Sequence, residues 1–210
     1  MAYGVSVSTD LHRFALTAKA AGSGELRYVA TLALTQVARQ VNAAVAAELL
    51  PKVFDKPVGF TQRAFRVVPA TKQSLAARIL LKTAQEGAGY GALLRLEEKG
   101  GQRQAKALTM PVKAGLGLNS YGNLGKGVVR RAAARRDVFL ARPGDIKGRQ
   151  YGGLYQRKKG GGLKLLVSWR ASVTYRPRLG FMPFVQAQAR RLFPAAMAGA
   201  FARAMTTRRG

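Results

Sequence analysis

Side chains that could catalyse a reaction or bind a metal are scarce in this chain of 210 residues. It has nine Asp and Glu residues, one histidine (His12) and no cysteine. Glu97 and Glu98 are adjacent acids on a predicted helix, and Asp137 and Asp145 are the only acids after residue 100. Metal-dependent nucleases and polymerases hold their cations with clustered carboxylates. We therefore predict that these acids are solvent charges or salt-bridge partners, and that the chain has no catalytic residue, no metal site and no cofactor.

The glycine-rich stretch at 111–127 is another place where a chemical site would be sought. Its GNLGKG sequence lacks the spacing of a P-loop, and GLGLNS does not match the dinucleotide-binding pattern G-x-G-x-x-G. A long glycine-rich loop in a compact domain is usually functional, or disordered until it meets a partner. We therefore expect this segment to become ordered in an assembly.

Positive charge is the strongest feature of the composition. The 36 Lys and Arg residues and nine Asp and Glu residues give a formal net charge of +27. Residues 1–100 carry 13 basic and seven acidic groups, whereas residues 101–210 carry 23 and two. A field of this sign attracts polyanions. We expect a nucleic acid as the first partner class, and an acidic protein surface or anionic lipid as the second.

Basic residues in the second half of the chain occur in short clusters. VVRRAAARR at 128–136 is a predicted helix in which Arg131 and Arg135, four positions apart, would share a face. The residues expected to contact a polyanion or an acidic partner are Arg130, Arg131, Arg135, Arg136, Arg157, Lys158 and Lys159. Aromatic residues among the clusters lie in strand-like runs. We therefore expect Tyr151, Tyr155, Trp169 and Tyr175 to pack within the fold and not to stack on bases.

A predicted helix over residues 27–50 is the element that positions the first half of the chain. Its large apolar residues recur every three or four positions and form one stripe: Leu34, Val37, Val41, Val45 and Leu49. Pro51 is expected to end this helix. Residues 61–82 are typical of a β-hairpin, with a turn at PATKQS. Because a two-stranded ribbon is marginally stable alone, we expect the helix to pack across its apolar face.

Further strands and a second long helix are predicted in the second half. The strands are 137–141, 153–157 and 163–169, and the helix is 184–205, kinked or restarted at Pro194. This order indicates an α+β fold. We expect an antiparallel sheet of four to five strands, with the N-terminal and C-terminal helices packed on it, plus a Gly-rich basic insertion. The predicted organisation is an N-terminal extension (1–24), a single domain (25–205) with an extended insertion at about 83–136, and a basic tail (206–210).

The order of short motifs along the chain resembles that of a known family. A long amphipathic helix is followed by a hairpin, a GG-x-R-x-x-K run at 100–106, and a final helix. The other stretches that carry the resemblance are FTQRAFRV at 60–67, PATK at 69–72, LNSYGN at 118–123, GLYQR at 153–157 and YRPRLGF at 175–181. This succession, over roughly residues 25–205, resembles the minor tail protein Z-like and tail-completion proteins of tailed bacteriophages.

The resemblance implies a structural role in the virion without enzymatic activity. A ring in the neck or tail is expected, assembled from copies of this chain. Its partners would be portal, adaptor or other tail proteins, with packaged double-stranded DNA as a further partner that the sequence leaves open. In the LNSYGN motif, Asn119, Tyr121 and Asn123 are the expected subunit contacts. The expected location is the phage neck or tail, after assembly in the host cytoplasm and without a membrane.

Composition alone favours a different class, a basic nucleic-acid-binding protein of the ribosomal or nucleoid type. The basic residues are spread among loops and Gly-rich segments, however, and no helix-turn-helix or RNP1-like pattern occurs. The virion role therefore ranks first. The N-terminus, MAYGVSVSTD, has no basic or apolar region typical of a signal peptide. No apolar run approaches the length of about 18 residues that a membrane span needs.

Overall fold

The computed structural model describes residues 4–6, 24–82 and 91–207. The elements in chain order are β1 (Gly4–Ser6), α1 (Gly24–Ala44), a π-helical turn (Val45–Leu49), α2 (Leu50–Val53), α3 (Gly59–Gln62), β2 (Phe65–Val68), β3 (Arg78–Leu81), α4 (Gly91–Lys99), β4 (Gly101–Pro111), α5 (Val128–Ala133), β5 (Val138–Ala141), β6 (Gly152–Arg157), β7 (Leu163–Tyr175) and α6 (Phe181–Thr207). Most of the predicted N-terminal extension lies outside the described residues, as does His12.

Contacts along the chain divide it into two compact units. The first, called the core unit, comprises residues 1–98 and 177–210, and the second, called the inserted unit, comprises residues 99–176. This division differs from the predicted single domain with an insertion at about 83–136. The inserted unit extends to residue 176 because β4 and β7, which are far apart in sequence, pair along most of their length.

Helix α1 buries the predicted apolar stripe. Leu34, Val37, Val41 and Val45 are each at most 1% exposed, and Leu49 belongs to the same core. On these residues the helical periodicity of the sequence is confirmed. Residues off the stripe behave differently, since Arg39 is exposed to solvent.

Pro51 does not end this helix, in contrast to the prediction. The helix passes through the π-helical turn, which the N–H of Leu50 closes by donating to the carbonyl of Val45, and it continues as α2 to Val53. A proline ring inside a regular α-helix clashes with the carbonyl four residues earlier. The wider turn directly before Pro51 relieves that clash, and the chain leaves the helix only at Phe54.

The predicted hairpin is formed by β2 and β3, and β1 adds a third antiparallel strand beside β3. Phe65 and Ile79 are buried, while Arg66 is exposed. Helix α1 packs on this sheet. The Thr35 hydroxyl of α1 accepts a hydrogen bond from the backbone N–H of Ala70 at 3.2 Å. The predicted pairing of the long helix with the hairpin is therefore confirmed.

Helix α6 is a continuous helix of 27 residues that packs against α1. It begins at Phe181, whose ring stacks on Phe65 with 4.5 Å between centroids. Its buried positions include Val185 and Ala189. Pro194 was expected to kink or restart the helix, yet it lies inside one element, on an exposed position. On the solvent side of a helix, a carbonyl that loses its partner can tilt towards water.

The inserted unit is built on a four-stranded antiparallel sheet with the strand order β4-β7-β6-β5. Leu154, Val167 and Ala132 lie in a small apolar core, against which Leu116 of the glycine-rich segment also packs. Gly153 allows β6 and β7 to approach each other, since a Cβ at this position would lie 2.0 Å from the carbonyl oxygen of Val167. The close packing of β6 on β7 in this unit therefore requires glycine at position 153.

The α+β class is confirmed, with antiparallel strands, a long N-terminal helix and a C-terminal helix. The expected antiparallel sheet of four to five strands is present as the four-stranded sheet of the inserted unit, and the described strands form a second, three-stranded sheet in the core unit. The Gly-rich basic insertion is not seen as a feature of its own, because residues 101–111 form β4 and residues 128–133 form α5. The glycine-rich residues between them run beside β7, where the N–H of Leu116 donates to the carbonyl of Leu166 at 3.3 Å.

Candidate polyanion-contact surface

The basic residues after helix α5 do not continue the helix. The helix ends at Ala133, so the prediction that Arg131 and Arg135 share a helical face is wrong. Arg135 instead folds back onto Asp137 in a two-point ion pair, with Nε to Oδ1 at 3.1 Å and Nη2 to Oδ2 at 2.7 Å. Two-point contacts of this kind fix the plane of the guanidinium as well as its position. Arg130 and Arg131 lie exposed on α5 itself.

Asp137 connects the turn after α5 to the sheet. Its carboxylate also accepts a hydrogen bond from Nε2 of Gln156 at 2.7 Å, and its backbone carbonyl accepts one from the N–H of Arg157 at 2.8 Å. The hydrogen bond from Arg135, followed by that from Gln156, holds the pKa of the Asp137 carboxyl below its usual range. The side chain is therefore a fixed carboxylate at neutral pH.

The turn between β6 and β7 carries the second group of predicted cations. The N–H of Lys158 donates to the carbonyl of Gly162, and the N–H of Gly161 donates to the carbonyl of Lys158, both at 3.1 Å. Gly161 and Gly162 take positive φ angles of 82° and 81°, which favour glycine. The side chains of Lys158 and Lys159 are exposed at this tip.

Strand pairing brings the two groups of cations to one end of the sheet. Val138, directly after the α5 turn, pairs with Gln156, directly before the β6–β7 tip. Five of the seven predicted contact residues therefore lie together, and we call them the hairpin-tip cluster: Arg135, Arg136, Arg157, Lys158 and Lys159. All five are exposed. The sequence predicts the two groups of basic residues separately. Their proximity follows from the register of β5 and β6, which the sequence does not show.

Negative charge is nearly absent from the inserted unit. Residues 99–176 contain 18 Lys and Arg but only Asp137 and Asp145, which is a net charge of +16. Asp137 is engaged by Arg135, and the Asp145 carboxylate accepts a hydrogen bond from the backbone N–H of Arg142 at 2.6 Å. Within this unit no third carboxylate exists that could neutralise Arg136, Lys158 or Lys159.

The aromatic residues Tyr155 and Trp169 are packed, as predicted, whereas Tyr151 is exposed and carries the Arg170 guanidinium 4.4 Å from the centre of its ring. Tyr155 is 1% exposed, and its hydroxyl donates to the Tyr151 carbonyl at 2.7 Å. Phe139 stacks beside Tyr155 at 6.1 Å, and the Arg157 guanidinium lies 4.5 Å from the centre of the Phe139 ring. Trp169 is partly buried against the apolar core of the unit. These rings are therefore occupied by protein contacts, and Tyr155 has no face left for a base.

The predicted subunit-contact residues form a compact turn. The Oδ1 atom of Asn119 accepts hydrogen bonds from the N–H groups of Tyr121 and Asn123, both at 3.0 Å. The backbone N–H of Asn119 donates to the carbonyl of Asn123 at 2.8 Å. These three hydrogen bonds close the turn within one chain. It presents Leu118 and Tyr121 to solvent, with 45% and 49% of their surfaces exposed.

The paired acids have a structural role that sequence reasoning did not specify. In the core unit, Glu97 pairs with Arg178, and the Glu98 carboxylate accepts hydrogen bonds from the N–H groups of Phe181 and Met182 at 2.8 and 3.2 Å. These N–H groups open helix α6, where an anion is favourable. Among residues 4–6, 24–82 and 91–207 no three potential metal ligands come together. No signal in the sequence links residues so far apart.

Comparisons of the chain with protein-family models, with curated proteins and with solved structures give no match. In the part of the chain that the structure describes, no helix is both long and apolar enough to cross a bilayer.

Proposed function

We propose that this protein is a non-enzymatic structural protein of a tailed bacteriophage, which forms a ring in the head–tail connector, neck or tail as a tail-completion or minor tail protein. The proposal is supported by the order of motifs along the chain, which resembles the order in that group. The observation that carries it is the position of these motifs, because they coincide with the joints of the fold.

Three of the motifs illustrate this placement. FTQRAFRV forms α3 and the start of β2, and PATK contains Ala70, whose N–H is bound by Thr35 of α1. YRPRLGF connects β7 to α6 and contains Arg178, the partner of Glu97. These motif residues hold secondary-structure elements together at several separate positions, which is the role expected of residues in a structural protein. The proposed ring contact is the turn at Asn119 to Asn123, which presents Tyr121.

The test is the composition of purified virions. Tailed particles are isolated from the strain that carries the gene, and their proteins are identified by mass spectrometry. We expect this protein in the particles, and we expect deletion of its gene to give heads and tails that fail to form infectious phage. Absence from the particles, with an unchanged titre after deletion, would overturn the proposal.

The hairpin-tip cluster favours a second candidate function, a basic nucleic-acid-binding protein of the ribosomal or nucleoid type. An uncompensated group of cations on an exposed turn is sufficient for sequence-independent binding to phosphates. Fractionation of uninfected cells separates the candidates. Most of the protein would sediment with ribosomes or nucleoids under the second candidate, and it would not be found in virions.

A further inference from the structure

We propose that the hairpin-tip cluster binds the phosphate backbone of duplex DNA without sequence preference. This inference deepens the proposed function and rests on it only for the source of the DNA, which is the packaged genome. The site consists of two exposed turns: residues 134–136 after α5 and residues 157–162 between β6 and β7.

Asp137 holds the two turns of the site together but neutralises only a small part of the positive charge of the cluster. It binds Arg135 and Gln156 through its carboxylate and the N–H of Arg157 through its carbonyl, so that both turns are attached to one residue. The carboxylate offsets the charge of Arg135 alone. Arg136, Lys158 and Lys159 keep their full charge in a unit that has no other acid within its sequence except Asp145. Asp145 lies in the turn between β5 and β6, at the opposite end of these strands.

The glycines of the tip let a nucleic-acid backbone come close. At Gly160, Gly161 and Gly162 an added Cβ would have no heavy atom within 4 Å, so open space surrounds this part of the turn. The positive φ angles of Gly161 and Gly162 keep the turn tight. A bulky phosphodiester strand can therefore approach the peptide backbone between cationic side chains without steric exclusion.

The composition of the cluster favours DNA over a protein partner. Protein interfaces are depleted in lysine and depend on aromatic or apolar anchors at their centre. The cluster has two lysines, and its nearest ring, Phe139, is covered by Arg157. Phosphate contacts need only cations and carry no sequence information. Single-stranded DNA is less suited, because stacking requires open rings and Tyr155 is buried.

The opposite end of the same sheet supplies a matched control. The β5–β6 connection contains Arg142, Lys147 and Arg149, which are exposed like the cluster residues. Ala141 pairs with Gly153 at this end of the hairpin, whereas Val138 pairs with Gln156 at the cluster end. Neutralising three residues at either end changes the net charge of the protein by the same amount. Only the position of the lost charge differs.

The experiment measures binding of the full-length protein to a short mixed-sequence DNA duplex by fluorescence anisotropy over a range of salt concentrations. The cluster variant carries Arg136→Gln, Lys158→Gln and Lys159→Gln, and the control variant carries Arg142→Gln, Lys147→Gln and Arg149→Gln. Each phosphate contact contributes about 0.9 to the slope of log K against log salt. We expect the cluster variant to reduce this slope by up to about 2.7, with at least a tenfold loss of affinity, and the control variant to change both quantities much less.

Two results would overturn the inference. Equal losses in both variants would mean that the overall field of the protein binds DNA and not this cluster. Unchanged DNA binding in the cluster variant would show that the cluster does not contact DNA, and loss of incorporation into particles in the same variant would identify a protein as the partner. Circular dichroism and thermal melting check that both variants are folded. If the protein is absent from virions, the proposed function fails, while the comparison of salt slopes still decides whether the cluster binds DNA.

Discussion

Glu97 and Arg178 form a two-point ion pair between residues that are 81 positions apart in the sequence. The Glu97 side chain is only 9% exposed, and Nη2 of Arg178 lies 3.0 Å from its Oε1. The backbone carbonyl of Glu97 also accepts hydrogen bonds from the N–H groups of Arg178 and Leu179, at 2.7 and 2.9 Å. These contacts hold together the two segments of the core unit that flank the inserted unit.

Replacing Arg178 by Met should destabilise the protein, because it leaves the carboxylate of Glu97 mostly buried without its partner. We expect the free energy of unfolding to fall by about 1–3 kcal/mol. Denaturant unfolding followed by circular dichroism measures this change. Arg176→Met is the control, since Arg176 is an exposed neighbour in the same segment, and it should alter stability by less than about 0.5 kcal/mol. Equal effects of the two changes would contradict the assigned role of the ion pair.

Replacing Glu98 by Ala should loosen the first turn of α6. Its carboxylate satisfies the N–H groups of Phe181 and Met182, and loss of a helix cap costs about 1 kcal/mol. Hydrogen–deuterium exchange resolved at these two amides would report the change directly. Glu98→Gln, which keeps one acceptor oxygen, should have a smaller effect on exchange. Unchanged protection in the Ala variant would show that the cap does not stabilise the helix.

How far the sequence predicts this fold depends on the distance between the interacting residues. The stripe on α1, from Leu34 to Leu49, is predictable because its signal repeats within one helix. Strand β4 was missed, because GGQRQAKALTMP has no apolar alternation and takes its strand form from pairing with β7. The end of the long helix was predicted wrongly for a different reason. The rule that proline ends a helix does not account for the π-helical turn before Pro51, which lets the helix continue to Val53.

In the candidate site, too, the residues could be predicted from the sequence but their spatial arrangement could not. All five residues of the hairpin-tip cluster could be named from the sequence, since charge is a property of the residue itself. Their grouping could not be predicted, because it depends on the register that places Val138 opposite Gln156. The role of Asp137 as the connecting residue was also missed. A lone acid beside two arginines gives no indication of its hydrogen bond to Gln156.

Asp137 should make stability depend on pH in a defined window. Its pKa is lowered in the folded protein below the ordinary value of 3.8, so its contribution is fully present above that pH and is lost as the pH falls towards the folded pKa. The difference in unfolding free energy between the wild type and Asp137→Asn should therefore be largest near neutral pH and shrink below about pH 3.8. Denaturant titrations at several pH values measure it. Arg135→Gln removes the main cause of the shift and should reduce the same pH dependence, and a difference that stays constant with pH would contradict the mechanism.

Gly153 should not tolerate a side chain. A Cβ would lie 2.0 Å from the carbonyl oxygen of Val167, and the backbone of β7 would have to move away from β6. We expect Gly153→Ala to lower the free energy of unfolding by about 3 kcal/mol. Gly117→Ala is the control, because a Cβ there has no neighbour within 4 Å, and it should have little effect. Equal melting temperatures for the two variants would show that the strands separate without cost.

The first and last residues of the inserted unit are neighbours in space, so this unit could be exchanged as a whole by recombination. Gly101 and Tyr175 pair as neighbours across β4 and β7, and in the core unit Glu97 and Arg178 are joined by a backbone hydrogen bond. The gap that removal of residues 99–176 would leave is therefore narrow, and a turn of a few residues would close it at a small entropic cost. Recombination at these two points would exchange the whole unit, together with its basic turns, as a cassette. The buried contacts between α1 and α6 would be inherited intact, while the surface offered to partners could change in a single event.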